Sequence, residues 1–504
     1  VLSALGVGWG GGQNEAGQVF DLVHFQQAAQ RVRERYSNEG YLYAQVAPNY
    51  EKTGEEVDGH PTVNAQLLIE EGLQAYIKRV IIAGNDYTFD RVIREKIFVL
   101  PGDVYSEERL LQSYQNIQSL GFFEVPLPAP DIRPDPETGD VDVIFTVTEK
   151  QTGSFSFGTA VGGGVGLSGF IGLDQPNLFG QGKQGSIRWD FGRYIRSFTL
   201  SFADPALFQS TVSGSVSLYN STDRFFQFAT GRRRRAGFST QFGVPFLNSL
   251  QTRVFFGYSL SRTSYEAFST AQDRTLFGLP PGILSSFSLG ITRRTLNHPL
   301  FPTSGSMQTW NIDFNGGPLG GEGNFIKHTG QAQWMVPVGA LGGGESGQGS
   351  IQFALGLTLR GGALFGDASR FPFESFWLGG VQFGEPLRGY SETTITPLGY
   401  YPERSAAIQQ VFRTGNAYFS TTAALTAALG STVAVSAFFD AGNLWEAPGD
   451  LNTSKLFRGS GFGVQLVTPF GPLGMDVAYG FDKTLLDGTP SPGWQWHFKM
   501  GPNF

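Results

Sequence analysis

The chain has no cysteine, so disulfides and thiolate metal sites are excluded. Its five histidines, His24, His60, His298, His328 and His497, are scattered without ligand spacing, and no zinc or iron site is expected from them. Charged residues make up only 16%. No run of about 18 apolar residues occurs, so a transmembrane helix is not expected. The motifs of common hydrolases are missing too: there is no Ser-His-Asp order, no G-x-S-x-G elbow and no H-E-x-x-H. The acidic pairs Glu55-Glu56 and Glu107-Glu108 lie in solvated segments, so no catalytic centre and no cofactor are expected. What the chain does have is glycine, at 69 of 504 residues, and aromatics, at 14%. That balance suits many glycine-punctuated strands with aromatic outer surfaces.

Charge divides the molecule near Lys150. Residues 1–150 carry 12 Lys+Arg against 23 Asp+Glu, and the remainder carries 24 against 20. An acidic soluble part followed by a charge-poor part argues against nucleic acid as a partner. Val1 is not an initiator methionine and no Arg or Lys precedes Arg31. A signal peptide is therefore not expected, and the chain reads as processed or truncated.

In residues 1–150 the periods are short and mixed. Asp21 can cap a helix whose stripe is Leu22, Phe25, Ala29, Val32 and Tyr36, with Gly40 as its stop. A strand over 41–46, a polar loop over 48–61 and a strand over 63–69 follow. The order then recurs: a strand over 77–82, helices over 88–98 and 106–120, a strand starting at Phe122-Phe123, a loop over 126–139, and a strand marked by Val141, Val143, Phe145 and Val147. Matching Gly40 with Gly121 and Glu70 with Glu149 gives a tandem repeat of about 80 residues, the first copy lacking its opening strand and helix. Sheet edges in such modules can accept a guest strand, although two spacer modules without a ligand fit the residues equally well.

Beyond Lys150 strand alternation replaces the helical period. Apolar residues hold every second position in 197–202, in Val212-Gly214-Val216-Leu218, in Phe353-Leu355-Leu357-Leu359 and in Val433-Val435-Ala437-Phe439. In 494–504, Trp494, Trp496, Phe498, Met500, Pro502 and Phe504 share one face. A soluble sandwich also alternates. Long strands, aromatics near strand ends and a terminal aromatic strand favour a closed membrane barrel. At about 22 residues per strand and turn, 151–504 yields about 16 strands.

Two segments stand out. Pro386-Leu387-Arg388-Gly389-Tyr390 lies in a long loop before a polar segment, 391–404. Taken alone, these five residues fit an ordinary loop arginine better than a latch. Alternation places Asp440 with Ser436 and Phe438 on the lumen face. An aspartate there can accept a bidentate arginine, and it can equally be a solvated carboxylate.

Together these segments resemble those of the BamA-type outer-membrane assembly factors. The family's (V/I/L)-R-G-(F/Y) loop tip is matched by Leu387-Arg388-Gly389-Tyr390, and its F-x-D-x-G strand motif by Phe438-Phe439-Asp440-Ala441-Gly442. Asn177-Leu178-Phe179-Gly180-Gln181-Gly182, Phe470-Gly471-Pro472-Leu473 and the terminal 498–504 also match. Gly84-Asn85 and Gly121-Phe122-Phe123 resemble signatures of POTRA modules. The resemblance covers about residues 20–504. It implies a partial POTRA module over 1–75, a complete one over 76–150 and a 16-stranded transmembrane β-barrel over 151–504. It also implies a latch of Leu387, Arg388, Gly389 and Tyr390 held in the lumen by Asp440 and Gly442. The implied location is the outer membrane of a diderm bacterium, with the modules in the periplasm and further modules upstream of Val1.

The mechanism implied is non-covalent: a lateral gate between the first strand, about 154–166, and the last, about 494–504. Gly158, Gly162 and Gly164 mark one side of it and Trp496, Phe498 and Phe504 the other. Glycines weaken a strand's pairing and packing, and a weak seam is where template pairing starts. A pliable strand without a gate role is the plain alternative. No Gly-Lys-Ser/Thr follows the glycines, so they are not a phosphate loop. The implied partners are unfolded outer-membrane proteins, the lipid bilayer with lipopolysaccharide, and periplasmic lipoproteins and chaperones. One departure concerns the latch. Where the family's lumen glutamate aligns, this chain has Ala424, so a second carboxylate for Arg388 is expected to be missing. The alternatives are a polypeptide-secretion transporter of the two-partner type and a TamA-like assembly paralogue. A passive porin would need neither modules nor latch.

Overall fold

The computed structural model describes residues 20–57, 60–162, 166–192, 195–223, 231–249, 251–267, 279–298, 300–342, 351–381, 384–402, 414–430, 432–468 and 471–500. Two compact units result: Val1–Gly153 with Gln175–Lys183, and Ser154–Asp174 with Gln184–Phe504. Among the described residues no helix is long and apolar enough to cross a membrane, which says nothing of crossing by strands.

The first unit opens with α1 (Leu22–Asn38). The Asp21 carboxylate caps it by accepting from the Val23 and His24 amides at 2.8 and 3.2 Å, as its position before the apolar stripe predicts. The stripe buries Phe25, Ala29, Val32 and Tyr36. The supposed polar loop over 48–61 is instead mostly ribbon: β1 (Gln45–Val57) pairs with β2 (His60–Glu70) from Gln45↔Glu70 onward. Its outer half is exposed, so no apolar alternation announces it.

The second copy packs β3 (Ile77–Ala83), α2 (Asp90–Arg94), α3 (Glu107–Ser119), β4 (Asp131–Pro134) and β5 (Val141–Thr146) around one core. Strand β5 runs parallel to β3 and antiparallel to β4. Ser106 caps α3, accepting from the Arg109 amide at 3.4 Å. Two expectations need correction. Helix α2 is a single turn, because Phe89 provides no side-chain cap and so short a helix survives only by burying Val92 and Ile93. Strand β4 sits inside the segment expected to be a loop; it is an edge strand with little apolar signal.

Glu149 ties this unit together. Its carboxylate accepts from the Tyr87 and Thr88 amides at 2.7 and 2.6 Å. Thr88 in turn accepts from Asn177 Nδ2 at 2.8 Å, and Asn177 Oδ1 receives the Gly182 amide at 2.8 Å. The Asn177–Gly182 motif is thus a turn that belongs to this unit. Burial pushes the Glu149 carboxyl up, but the hydrogen bonds from Thr88 and Tyr87 outweigh it and hold the group below the usual carboxylate range. A folded-state pKa held low gives stabilisation that is present above the unfolded value and lost as pH falls through the folded one. Hydrogen exchange should therefore show Tyr87 and Thr88 protected at neutral pH and losing protection only as the pH falls below the usual carboxylate range. Glu149→Gln should flatten that dependence.

The second unit is a single 16-stranded antiparallel sheet. In order its strands are β6 (Ser154–Gly162), β7 (Gly166–Leu178), β8 (Lys183–Gly192), β9 (Ile195–Asp204), β10 (Ser213–Asp223), β11 (Gly231–Pro245), β12 (Thr252–Ala267), β13 (Gly282–Arg294), β14 (Gly305–Gly316), β15 (Asn324–Leu341) and β16 (Ile351–Asp367). After the short β17 (Ile395–Thr396) and β18 (Gly399–Tyr400), which pair only with each other, come β19 (Ala417–Leu429), β20 (Val433–Trp445), β21 (Phe457–Thr468), β22 (Gly471–Gly480) and β23 (Gly493–Met500). Every neighbour in the sheet is the next strand in sequence, apart from the β17–β18 detour.

The alternation sorts as a membrane barrel requires. On β9 and β10, Phe198, Leu200, Phe202, Val216 and Leu218 are exposed outward, while Ser201 and Ser217 hydrogen-bond at 3.0 Å on the other face. Strand β23 exposes Trp494, Trp496 and Phe498 and buries His497. The glycine-rich run expected as one strand over 154–166 spans both arms of a hairpin: β6 ends at Gly162, which pairs with Gly166 at the start of β7. Glycine fits either strand or turn, so the sequence pattern carried no boundary. Gly158 is in β6, opposite Phe170. Gly164 and Phe504 lie outside the described residues. Among those residues, no ladder joins β6 to β23.

Candidate functional site: a loop seated in the barrel lumen

The connection from β16 to β19 folds back inside the sheet. Its apolar residues Phe371, Phe376, Leu378, Leu387, Tyr390 and Ile395 form a buried cluster with wall residues such as Leu284, Phe325, Leu364, Tyr418 and Leu444. Leu378, Leu387, Tyr390 and Ile395 are each 0% exposed. This burial corrects the expectation of a polar segment over 391–404, since Thr393, Thr394 and Thr396 are buried as well. Small hydroxyl residues can enter an interior when local bonds satisfy them; Thr394 Oγ1 donates to Ser391 O and Thr396 Oγ1 to Gly399 O, both at 2.8 Å.

Burying the tip forces its polar groups to find partners, and they do so on several strands of the wall. The Arg388 guanidinium makes a fork with Asp440 on β20: Nε–Oδ2 and Nη2–Oδ1 are both 2.7 Å, and the Arg388 amide adds a bond to Oδ2 at 3.2 Å. Both side chains are nearly inaccessible, at 11% and 3% exposure. The guanidinium carbon lies 3.2 Å from the centre of the Phe438 ring, one inward position before Asp440. Planarity allows the fork and the stacking together, which a lysine could not provide.

A second carboxylate is present after all. Asp476 on β22 lies 3.5 Å from Arg388 Nη1 and 2.5 Å from Lys499 Nζ on β23. It is fully buried, and the two neighbouring cations hold its charge in place. The second carboxylate near Arg388 thus comes not from position 424 on β19, an alanine, but from a residue two strands beyond Asp440. Gly389 donates its amide to His497 Nε2 at 3.0 Å, which places that imidazole's proton on Nδ1. Tyr390 donates to Arg458 O at 2.8 Å and accepts from the Asp482 amide at 3.2 Å. Ser391 Oγ donates to Gln495 Oε1 at 3.4 Å. At the other end of the tip, Glu385 accepts from Tyr418 on β19 and faces Arg360 on β16.

Close approach needs glycine at two places. Gly389 has φ +92°, the left-handed region that side chains resist. Gly459 on β21 faces the tip so closely that a Cβ there would overlap the Arg388 carbonyl oxygen. Gly442, expected beside Asp440 as part of the latch partner, instead faces β19 most closely. A Cβ on it would press on Phe419 and Ser420 of β19, so its role is strand packing.

The sequence therefore brought out Leu387, Arg388, Gly389, Tyr390 and Asp440, which the structure gathers in one place. It missed Gly459, Asp476, His497 and Lys499. A usable signal existed for the last two, since Gln495, His497 and Lys499 alternate with the outward aromatics of β23 and must face inward. Trp496 and Phe498 stand on the outer face of β23, away from the latch.

Comparison with known proteins fits this geometry. The Omp85 superfamily domain matches residues 177–504, and the repeat described as "Surface antigen variable number repeat", the POTRA family, matches 12–72 and 75–150. The outer membrane protein assembly factor BamA of Neisseria meningitidis serogroup B is 25% identical over 94% of this chain and 62% of its own length. BamA of Nitratidesulfovibrio vulgaris is 28% identical over 75% of this chain and 45% of its own. The chain thus spans about half the length of these curated relatives. The sorting and assembly machinery component 50 homolog A of Xenopus laevis is 25% identical over 66% of this chain and 75% of that protein. The crystal structure of Haemophilus ducreyi BamA lacking POTRA domains 1–3 has a TM-score of 0.71 at 18% identity, covering 96% of this chain and 95% of that one. With a matched domain of this extent, POTRA repeats before it and a 16-stranded barrel, the chain belongs to the Omp85 superfamily.

Proposed function

We propose that this chain is an outer-membrane protein assembly factor, which folds and inserts β-barrel proteins at the seam between β6 and β23. The observation that carries the reading is the breadth of the match: bacterial relatives named as assembly factors and a vertebrate sorting-and-assembly component each match about two thirds of the chain or more. The physical route is strand templating. An unfolded outer-membrane protein arrives with unsatisfied backbone groups that lipid cannot pair, and the edge of a terminal strand offers partners for them. No covalent step is involved, so neither catalytic residue nor cofactor is required.

In this reading the barrel sits in the outer membrane of a diderm bacterium, with the POTRA modules in the periplasm. There they receive substrate from chaperones and engage accessory lipoproteins. The bilayer, with its lipopolysaccharide, is the second partner. A test is reconstitution of the chain in liposomes, following an unfolded outer-membrane protein as it becomes heat-modifiable. Folding should be at least about tenfold faster than in empty liposomes, a barrier drop of about 1.4 kcal/mol. No acceleration, with a polypeptide instead crossing into the lumen, would favour a secretion transporter.

A further inference from the structure

The tip of the loop does more than bury itself: it reaches the last strand of the sheet. Three contacts from the tip meet the inward face of β23: the Gly389 amide donates to His497, Ser391 donates to Gln495, and Arg388 and Lys499 share Asp476. At its other end the tip is held by Tyr418 on β19 and by Asp440 on β20. A segment of seven residues, Glu385 to Ser391, therefore spans the inner wall from β19 to β23.

We propose that Asp476, His497 and Lys499 are positioning residues that couple the seated loop to β23, so that the last strand is held in place only while the loop is docked. The inference rests on the assembly-factor reading, in which β23 is one side of the gate. Two physical points support it. Among the described residues β23 has one hydrogen-bonded neighbour, β22, so that ladder and the side chains of β23 fix it. The outward Trp494 and Trp496 are more than half exposed, and Trp494 meets Tyr479 of the same neighbour β22 edge-on, so the outward face ties β23 to no further strand. The inward side chains carry the attachment. Asp476 also needs both cations: it is fully buried beside them, so losing Arg388 or Lys499 leaves a buried carboxylate half-compensated. Movement of the loop therefore has a direct electrostatic consequence at β23.

The test uses the cysteine-free chain with spin labels at Phe157→Cys on β6 and Trp496→Cys on β23, reading the distance distribution beside the insertion rate. Starting from a narrow distribution, Lys499→Met and His497→Leu should raise the long-distance population at least threefold. His497→Gln, which keeps an acceptor for the Gly389 amide, should restore the narrow form. As a control, Asn315→Ala removes the buried Asn315–Ser286 contact between β13 and β14, remote in sequence from the latch. It should lower heat stability without widening the distribution. Unchanged distances in Lys499→Met and His497→Leu would overturn the coupling, whatever insertion does, and so would equal widening in Asn315→Ala at matched stability. Widened distances with unchanged insertion would uphold the coupling and count against the gate as the route of insertion.

Discussion

Arg388→Ala is expected to unseat the loop and to cost about 3–5 kcal/mol of local stability, the range for removing one partner of a buried ion pair. The loss is large because two carboxylates depend on this guanidinium. Asp440 would lose the charged fork and keep its bond from Thr422 and, while the loop stays seated, that from the backbone amide of residue 388, and Asp476 would be left with Lys499 as its paired cation. Arg388→Lys should recover only part of the effect, since an ammonium can form neither the fork with Asp440 nor the flat stack on Phe438. Limited proteolysis of the loop from outside would read the unseating, and liposome insertion its consequence. Asp440→Ala should act similarly. The double variant should cost far less than the sum of the singles; simple additivity would contradict the pairing as an energetic unit.

Gly459→Val should displace the loop by a different route. Valine is a good strand residue, so β21 itself loses nothing by the change. Its side chain, however, would occupy the space of the Arg388 carbonyl, and every bond from Arg388 to Ser391 depends on that approach. The expected result is loop exposure comparable to Arg388→Ala, while the folded barrel still migrates as a compact band without heating. Gly442→Ala is the contrasting case. It should loosen β19 against β20 and lower heat stability while leaving the loop docked, because the atoms its added methyl meets first belong to Phe419 and Ser420.

Much of the architecture was legible because its physics is periodic. Alternation on β9, β20 and β23 fixes which side chains face lipid, and the aspartate at 440 falls inward by parity alone. The helices α1 and α3 were readable from Asp21, Ser106 and their apolar stripes. What alternation could not report were elements without an apolar face. The ribbon of β1 and β2 is exposed over its outer half, the edge strand β4 has one partner, and Gly162 and Gly166, where β6 gives way to β7, fit strand and turn alike. The latch pair was visible as two motifs, but Asp476 was not: a single acidic residue between Met475 and Val477 gives no hint of its partners. Its role depends on β22 lying between β21 and β23, and such neighbour relations emerge only from the folded sheet. The buried threonines after Tyr390 show the same limit, since their burial follows from local bonds rather than from hydropathy.

The central claim, that substrate enters the membrane through the seam of β6 and β23, is tested most directly by sealing it. With no cysteine in the chain, pairs placed at Phe155 or Phe157 and at Trp496 or Phe498 would be unique, and oxidation would fix the two strands together. The account predicts that the oxidised protein loses its acceleration of insertion and regains it on reduction, while its loop stays protected from protease throughout. Insertion that continues at the full rate through a quantitatively crosslinked seam would contradict it.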